Sequence, residues 1–314
     1  MTGEGLWHID GAAAGLRLDR FLAADDRLGS RRQVLRALER GKVLVNDAEV
    51  ARADAGRHLV AGDHVRVWMD RPGTAHRRGT RAARPGELPI VYQDDAIIVV
   101  NKPAGLLAVP LASRSDAPSV QDELVAHLHS RGRHRPLVVH RIDRDTSGLV
   151  VFATRADAQA RLRTQFRRHE PERVYLAVVY GHPSPRSGIW RDHLAWDRDA
   201  LIQEETRPGD PRGQEAQSDY RVIEAFRDAS LIEVRLVTGR RNQIRLQAAL
   251  RGHALVGEQR YVNGPEHPRP IAFPRQALHA SRLAFRHPVD NRRMQFESPL
   301  PRDLAGLLER LRQG

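Results

Sequence analysis

A short polar segment between two apolar runs carries the residues most able to do chemistry. The segment RIDRDTS separates LVVH from GLVVFAT, and both runs are rich in the β-branched residues of buried strands. It presents two carboxylates, Asp143 and Asp145, with Arg141 and Arg144 beside them. Neighbouring arginines favour the ionised form of a carboxylate. The pattern therefore predicts an ionised carboxylate on a loop at a sheet's edge, where catalytic groups are commonly placed.

Three chemistries can be tested against this loop. A calcium loop starting at Asp143 would need a bidentate Glu at its twelfth position, where the chain has Thr154. A glycosidase-like pair of Asp143 and Asp145 would need one protonated carboxyl, which the adjacent arginines oppose. Nucleophilic work at a nucleotide suits an ionised Asp143. The chain has no cysteine and no Walker, dinucleotide or HExxH motif, so the sequence offers no familiar metal or cofactor site.

Hydrophobic patterns predict the elements that must position this loop. Two apolar runs, IVY and IIVVN, flank a QDDA turn and predict a β-hairpin. Ser119 is expected to cap a helix whose Leu124 and Leu128 face inward. In RVYLAVV, strict alternation places Tyr175 on the opposite strand face from Val174. The segment after residue 87 is thus a mixed series of strands and helices.

Charge and length suggest two domains and a polyanionic partner. The 314 residues include 51 Lys and Arg against 39 Asp and Glu, a formal charge of +12. At roughly 150 residues per domain, this length suggests two domains. A basic surface attracts phosphate backbones, although coding bias can also enrich arginine. No signal peptide or long apolar run is visible, so we expect a cytoplasmic protein with no membrane contact.

The first 70 residues carry eleven basic and eleven acidic side chains, so any basic surface there must come from their arrangement. Ser30 opens a predicted helix with a capping-box pattern. At 100° per residue, Arg32, Arg36 and Arg40 form one stripe of this helix, opposite an apolar face. A strand, KVLVN, follows, and a last pair of strands is predicted around the turn at 61–63.

Four ordered segments resemble the RluA-type pseudouridine synthases. HRIDRDTSGL resembles the family's central signature. The other three are IVYQDDAIIVVNKPAGLLAVP, RVYLAVVYG and VTGRRNQIRLQAALRGHALVGEQRYV. The resemblance spans about residues 87–310. It implies isomerisation of uridine in RNA to pseudouridine, without a redox cofactor, nucleoside triphosphate or metal. It also implies an α+β catalytic domain with a mixed, largely antiparallel central sheet and an active-site cleft.

The resemblance assigns expected roles to four residues. Asp143 matches the essential aspartate, and Arg245 matches the arginine that pairs with it and would keep it ionised. Tyr175 matches the tyrosine beneath the target base. A stacked uridine must be extruded before it can react, and Arg141 is the candidate for the side chain inserted in its place.

A short helix marked by Leu18, Phe21 and Leu22 is predicted before the Ser30 helix. These two helices, followed by GKVLVNDAEV and GDHVRVW, resemble the small RNA-binding module named after ribosomal protein S-four. The predicted organisation is therefore this module at residues 1–70, a basic linker at 71–86 with five arginines and no acid, and the catalytic domain at 87–314. We expect a monomer that acts on RNA, with large-subunit ribosomal RNA favoured and transfer RNA possible.

Some alternatives remain open from sequence. The family often has His where this chain has Asn242 and Gln247, which leaves the choice of uridine in doubt more than the reaction. A noncatalytic RNA-binding or ribosome-assembly protein would have no need of the full Asp143, Tyr175 and Arg245 set. A nucleoside or glycoside hydrolase would use the Asp143 and Asp145 pair and release free base or sugar.

Overall fold

A computed structural model describes most of the chain. The described residues are 4–39, 41–68, 88–110, 117–129, 135–197, 200, 202–262 and 270–313. They form two compact units, one within residues 1–79 and one within 80–314. Arg40 and the predicted basic linker at 71–86 lie outside the described residues. None of the helices in the described ranges is long and apolar enough to cross a membrane.

The first unit is a small antiparallel sheet with two helices. Its strands are β1 (Glu4–His8), β2 (Val43–Val45), β3 (Ala48–Glu49) and β4 (His64–Trp68), in the order β1-β4-β2-β3. Its helices are α1 (Leu18–Leu22) and α2 (Arg31–Glu39), and a 3-10 turn covers Arg52–Asp54. The predicted strand pair around residues 61–63 is wrong. Only β4 follows that turn, and its partners are β2 and β1, of which β1 was not predicted.

Local signals of this unit are otherwise confirmed. The backbone N–H of Gln33 donates to the Ser30 hydroxyl at 3.3 Å, which caps α2 as expected. Val34 and Leu38 on the apolar face of α2 are buried in the core with Leu18. The α2 helix therefore packs through the face opposite to its arginines.

The second unit is built on one eleven-stranded sheet. Its strands are β5 (Ile90–Gln93), β6 (Ile97–Lys102), β7 (Leu137–Val138), β8 (Ser147–Ala153), β9 (Glu172–Tyr180), β10 (Ser187–Asp197), β11 (Ile202–Thr206), β12 (Gln214–Ala225), β13 (Ala229–Leu236), β14 (Leu278–Arg286) and β15 (Arg293–Glu297). The helices are α3 (Val120–His129), α4 (Ala156–Arg167), α5 (Gln243–Leu250) and α6 (Arg302–Gln313).

The sheet is mixed and largely antiparallel, as predicted. Its main path is β11-β10-β12-β13-β9-β14-β8-β6-β5, with β15 beside β14 and β7 beside β8. Among the described strands, only β8 and β14 pair in parallel. The predicted hairpin is β5 and β6, and the Ser119 hydroxyl accepts the Asp122 N–H at 3.2 Å to cap α3. The expected α+β class is confirmed.

Both faces of the sheet are covered, which explains the nearly continuous burial of β9. Tyr175 and Val179 face a cluster that includes Leu124 of α3 and Ile244 of α5. Val178, from the other face of β9, packs with the leucines of α6. The predicted alternation around Tyr175 is therefore confirmed. The helix α5 and the polar loop between β7 and β8 both border the Tyr175 side.

Gly148 lets β8 and β14 approach each other at the end of the polar loop. Its φ is +115°, and an added Cβ would lie 2.3 Å from the carbonyl oxygen of Ala280. Gly148→Ala should therefore lower the free energy of unfolding by about 3 kcal/mol, since the clash is with backbone. Gly306→Ala in α6 is the control, because nothing lies within 4 Å of its Cβ position. That variant should gain about 0.5–1 kcal/mol. Urea denaturation measures both, and equal effects would contradict the role given to Gly148.

Candidate active site

Asp143 lies in the loop that joins β7 to β8. The strand β7 pairs with the last residues of β8, so the segment between the two strands leads back to the start of β8. The Asp143 carbonyl accepts the N–H of Thr146 at 3.2 Å, which tightens the turn before β8. The Asp143 side chain keeps 26% of its surface exposed. It is thus held at the surface of the core with access for a substrate.

Lys102 holds this loop through hydrogen bonds to backbone carbonyls. Its ammonium is fully buried and donates to the carbonyls of the next residue, of Leu106 and of Arg144, at 2.8, 2.8 and 2.7 Å. Burial lowers the pKa of Lys102 to about 7, and the charges of Asp145 and Asp143 oppose that fall. The loop after Asp143 is therefore tied to the end of β6.

The sequence analysis gave Lys102 no role, although a signal was present. Only two of the 51 cations are lysine in a chain that otherwise uses arginine. A compact ammonium with three N–H groups suits three convergent carbonyls, whereas a planar guanidinium does not. The retained lysine at the end of a buried strand could have indicated such a site.

Arg245 brings α5 to Asp143. Its Nη1 donates to Asp143 Oδ2 at 3.2 Å, across 102 residues of sequence. The arginine side chain is only 10% exposed, which fixes its rotamer within the helix packing. The expected proximity of Asp143 and Arg245 is therefore present in the structure.

A second carboxylate, Glu258, holds the other edge of the same arginine. Arg245 Nε and Nη2 donate to the two Glu258 oxygens at 2.6 Å each, and the Glu258 side chain is 1% exposed. Burial by itself would lower the pKa of Arg245, but the hydrogen bonds and charge of Glu258, followed by Asp143, raise it. Sequence reasoning missed Glu258, because nothing local marks a carboxylate that will meet a partner on another element.

Asn242 supplies the second donor to Asp143. Its Nδ2 donates to Asp143 Oδ2 at 2.7 Å, and its Oδ1 accepts the Tyr261 hydroxyl at 3.1 Å. The same hydroxyl accepts the Gln203 N–H at 3.0 Å. Hydrogen bonds therefore connect Gln203, Tyr261, Asn242 and Asp143 in series. Asn242 has φ +52°, a conformation that asparagine tolerates well. At this position the chain thus uses an amide, which does not titrate.

Gln247, the other departure from the family pattern, lies inside the packing of α5. Its Nε2 donates to Asp192 at 2.6 Å, and its Oε1 accepts the Ser218 hydroxyl at 2.7 Å. Gln243, one turn earlier, donates to Ser218 at 2.9 Å and accepts from Thr238 at 2.8 Å. These fully or nearly fully buried amides tie α5 to β10 and β12 and so set where Arg245 can reach.

Tyr175 projects from β9 close to Asp143. It pairs with Val234 across β13 and with Ala280 across β14, and it is 6% exposed. Burial raises the pKa of Tyr175 to about 12; Arg173 opposes this rise and the Asp143 charge adds to it. No described residue hydrogen-bonds the Tyr175 hydroxyl. The phenol remains neutral at ordinary pH.

The predicted arginines fall into two places. Arg141 is exposed in the Asp143 loop and makes no hydrogen bond or ion pair with any other described residue. Arg32 and Arg36 are exposed on α2 of the first unit. The structure thus brings Asp143, Tyr175, Arg245 and Asn242 together, places Arg141 beside them, and leaves Arg32 and Arg36 on a separate unit.

The two acidic residues of the loop have different partners. The Asp145 carboxylate pairs with the guanidinium of its neighbour Arg144 at 3.2 Å, whereas Asp143 binds Arg245 and Asn242. No cluster of three or more potential metal ligands occurs in the described ranges. Of the two loop carboxylates, Asp143 is therefore the one held by donors from Asn242 and Arg245.

This arrangement of the sheet and its helices belongs to the fold class of the pseudouridine synthases. A solved structure of the human RNA pseudouridylate synthase domain containing 4 aligns with a TM-score of 0.59, covering 71% of this chain and 92% of that one at 22% identity. The human RNA pseudouridylate synthase domain containing 1 aligns with a TM-score of 0.55, covering 72% and 95%. At this identity the alignments establish the fold.

Sequence comparison gives the particular family. Residues 96–250 match the family model described as RNA pseudouridylate synthase. The ribosomal large subunit pseudouridine synthase D of Zymomonas mobilis is 35% identical over 312 residues, 95% of this chain and 94% of that protein. An uncharacterized RNA pseudouridine synthase of Bacillus subtilis is 36% identical over 302 residues, with the same coverage. The chain belongs to the RluA-type pseudouridine synthase family and is an RNA pseudouridine synthase, an isomerase.

The two tyrosines near the site should differ in what their hydroxyls contribute to stability. Tyr261→Phe leaves the Gln203 N–H and the Asn242 Oδ1 without a partner, so we expect a loss of about 1–3 kcal/mol. Tyr175→Phe removes a hydroxyl that no described residue binds, and stability should change by no more than about 0.5 kcal/mol. Urea unfolding of the full chain compares the two variants. Equal losses would contradict the hydrogen-bond relay from Gln203 to Asn242.

Proposed function

We propose that this enzyme converts specific uridines of large-subunit ribosomal RNA to pseudouridine, with Asp143 as the catalytic carboxylate. The observation that carries the proposal is the partly exposed Asp143, whose Oδ2 receives hydrogen bonds from Asn242 and Arg245 together. Relatives from Zymomonas mobilis and Escherichia coli that are named as large subunit pseudouridine synthases support the choice of RNA.

The reaction is an isomerisation whose atoms balance within the nucleotide. The bond from ribose carbon-1 to uracil nitrogen-1 breaks, and a new bond joins the same ribose carbon to uracil carbon-5. The proton of carbon-5 is released, and nitrogen-1 takes up a proton. Attack on the sugar, attack on the base and removal of a sugar proton all need an ionised carboxylate. Asp143 fills that requirement by any of the three routes.

The two oxygens of Asp143 have different tasks in this proposal. Both donors from the protein reach Oδ2, and no described residue hydrogen-bonds Oδ1. Donors on one oxygen fix the side-chain rotamer and favour the anion, while the other oxygen keeps its lone pairs. Oδ1 is therefore the oxygen that faces the nucleotide.

Glu258 limits the number of hydrogen bonds that Arg245 donates to the proposed catalytic carboxylate. Because Glu258 takes the bidentate edge, Asp143 receives a single N–H from the arginine. A bidentate pair to Asp143 would be stronger and would engage both of its oxygens. In the proposed site, Glu258 thus orients Arg245 without blocking the reactive oxygen.

The target base has to leave the RNA stack to reach Asp143. Extrusion costs a few kcal/mol, which stacking and an inserted side chain can offset. We infer that the ring of Tyr175 lies beneath the extruded base; the residue is 6% exposed, and its neutral hydroxyl has no partner among the described residues. Arg141, which is exposed and has no hydrogen bond or ion pair with any other described residue, is the side chain proposed to fill the space that the base vacates.

The first unit is proposed to bind RNA through α2. Arg32 and Arg36 are exposed on the face opposite to the buried Val34 and Leu38, so their guanidinium groups are available to phosphates. Residues 1–70 carry equal numbers of basic and acidic side chains, so this local arrangement is the source of any basic surface there. Such contacts hold the RNA and carry no sequence information of their own.

Asp143→Asn tests the catalytic assignment with little change of shape. Pseudouridine formation on an unmodified large-subunit ribosomal RNA transcript should fall by at least about 10³-fold, because the amide is no nucleophile or base. Asp145→Asn is the matched control from the same loop, since its carboxylate binds Arg144, and its rate should stay within about threefold. Full activity in Asp143→Asn would refute the assignment, and equal losses in both variants would favour a two-carboxylate mechanism. Absence of pseudouridine with the wild type would refute the proposed substrate.

A double substitution, Arg32→Gln with Arg36→Gln, tests the RNA-binding role of α2. Loss of two phosphate contacts should weaken binding to the ribosomal transcript and reduce the slope of log affinity against log salt by up to about 2. Arg52→Gln with Arg57→Gln removes the same charge from the same unit, and Arg52 is paired with Glu39. Salt titrations of affinity compare the two doubles. The same slope in both would show that only net charge matters.

A further inference from the structure

Arg241 stands just before α5 and rests on an aromatic ring. Its guanidinium carbon lies 3.7 Å from the centroid of the Trp196 ring, which projects from the end of β10. Arg241 is exposed and makes no hydrogen bond or ion pair with any described residue. A stacked guanidinium keeps its plane fixed while its N–H edge remains unsatisfied.

The neighbouring arginine shows what a structural role would require. Arg240 donates from Nε to the carbonyl of Glu215 at 2.9 Å and from Nη1 to Gln214 at 2.7 Å. Both of these bonds tie the loop to β12. Among the described residues, Arg241 contacts the Trp196 ring and makes no hydrogen bond or ion pair, so its N–H groups are available to a partner outside the protein.

The position of Arg241 is at the edge of the Asp143 site. The next residue, Asn242, donates directly to Asp143. Burial lowers the pKa of Arg241, and the positive charge of Arg141 lowers it further, so the two arginines share a local field. Arg260 adds to this repulsion, and Asp143 opposes it. Binding of an anion between these arginines would reduce the repulsion between their positive charges.

We propose that Arg241, held in place by Trp196, binds a backbone phosphate of the RNA next to the target uridine. The inference rests on the proposed function, which supplies the RNA. A guanidinium edge matches two phosphate oxygens, and a phosphate contact fixes the register of the strand without reading its sequence. One face of the Trp196 ring is already occupied by Arg241, which makes the ring a seat for the arginine.

Binding measurements with Arg241→Gln test the phosphate contact. The probes are an unmodified large-subunit ribosomal RNA transcript and polyuridylate, each titrated at several salt concentrations. We expect about three- to tenfold weaker binding to both RNAs, and a salt slope smaller by about 0.7–0.9. A loss confined to one RNA would indicate base recognition and overturn the phosphate assignment.

Arg227→Gln is the matched control. Arg227 is exposed in the turn between β12 and β13, so the length of β13 separates it from the Arg241 loop, roughly 25 Å of strand. It should bind both RNAs as the wild type does, within about twofold. Equal losses in Arg227→Gln and Arg241→Gln would reduce the effect to net charge and overturn the proposal.

A double-mutant cycle tests whether Trp196 acts by positioning Arg241. Trp196→Leu should weaken binding when residue 241 is Arg and have little effect in the Arg241→Gln background. The same loss in both backgrounds would mean that Trp196 contacts RNA itself and would overturn its role as a seat. Should Trp196→Leu fail to fold, Arg241→Lys decides. It keeps the charge and should retain the salt slope with weaker binding, whereas wild-type affinity would overturn the need for a stacked, planar group.

Pseudouridine formation by the wild type is measured separately on the same transcript. If no pseudouridine forms, the proposed function fails, while the difference between Arg241→Gln and Arg227→Gln still decides the phosphate contact. If pseudouridine forms and the two variants bind alike, the phosphate contact fails and the proposed function stands.

Discussion

The bridge that Arg245 makes between Asp143 and Glu258 is the interaction on which the rest of the site depends. It joins the β7–β8 loop to α5, 102 residues later, and to the turn that precedes Tyr261. Removing one partner from such a buried set leaves an uncompensated charge, which is far more costly than the net worth of the pair. The site is consequently a constraint on the fold as well as a product of it.

The bridge forms only when α5 has one position and one rotation about its axis relative to the sheet. Hydrogen bonds of two buried amides fix both. Gln243 and Gln247 have their hydrogen bonds filled by β10, β12 and the loop after β13. A half-satisfied network would be worse than an apolar core, whereas a complete one specifies a single arrangement. The amide of Gln247 holds α5 against β10 and β12, whereas the amide of Asn242 donates directly to Asp143.

Charge around the carboxylate is distributed rather than concentrated. Arg245 is shared with Glu258, Lys102 is directed into backbone carbonyls, and Arg141 and Arg241 remain without ion-pair partners among the described residues. The first two are buried and fixed, which suits positioning. The last two are exposed, which suits binding to a polyanion. The cations of this +12 chain therefore differ in role: buried ones position the site, and exposed ones are available to a polyanion.

Local chemistry in the sequence determined the elements. Alternation placed Tyr175 on its strand face, Ser30 and Ser119 capped their helices, and apolar runs around a polar segment located Asp143 on a loop, because these signals act within a few residues. The pairing of Asp143 with Arg245 came only through family resemblance. Tertiary structure alone decided that Glu258 and Tyr261 belong to the site and that β4 pairs with β1. Asp143 and Asn242 are 99 residues apart, and no local period encodes which of many polar side chains will meet once the sheet has closed.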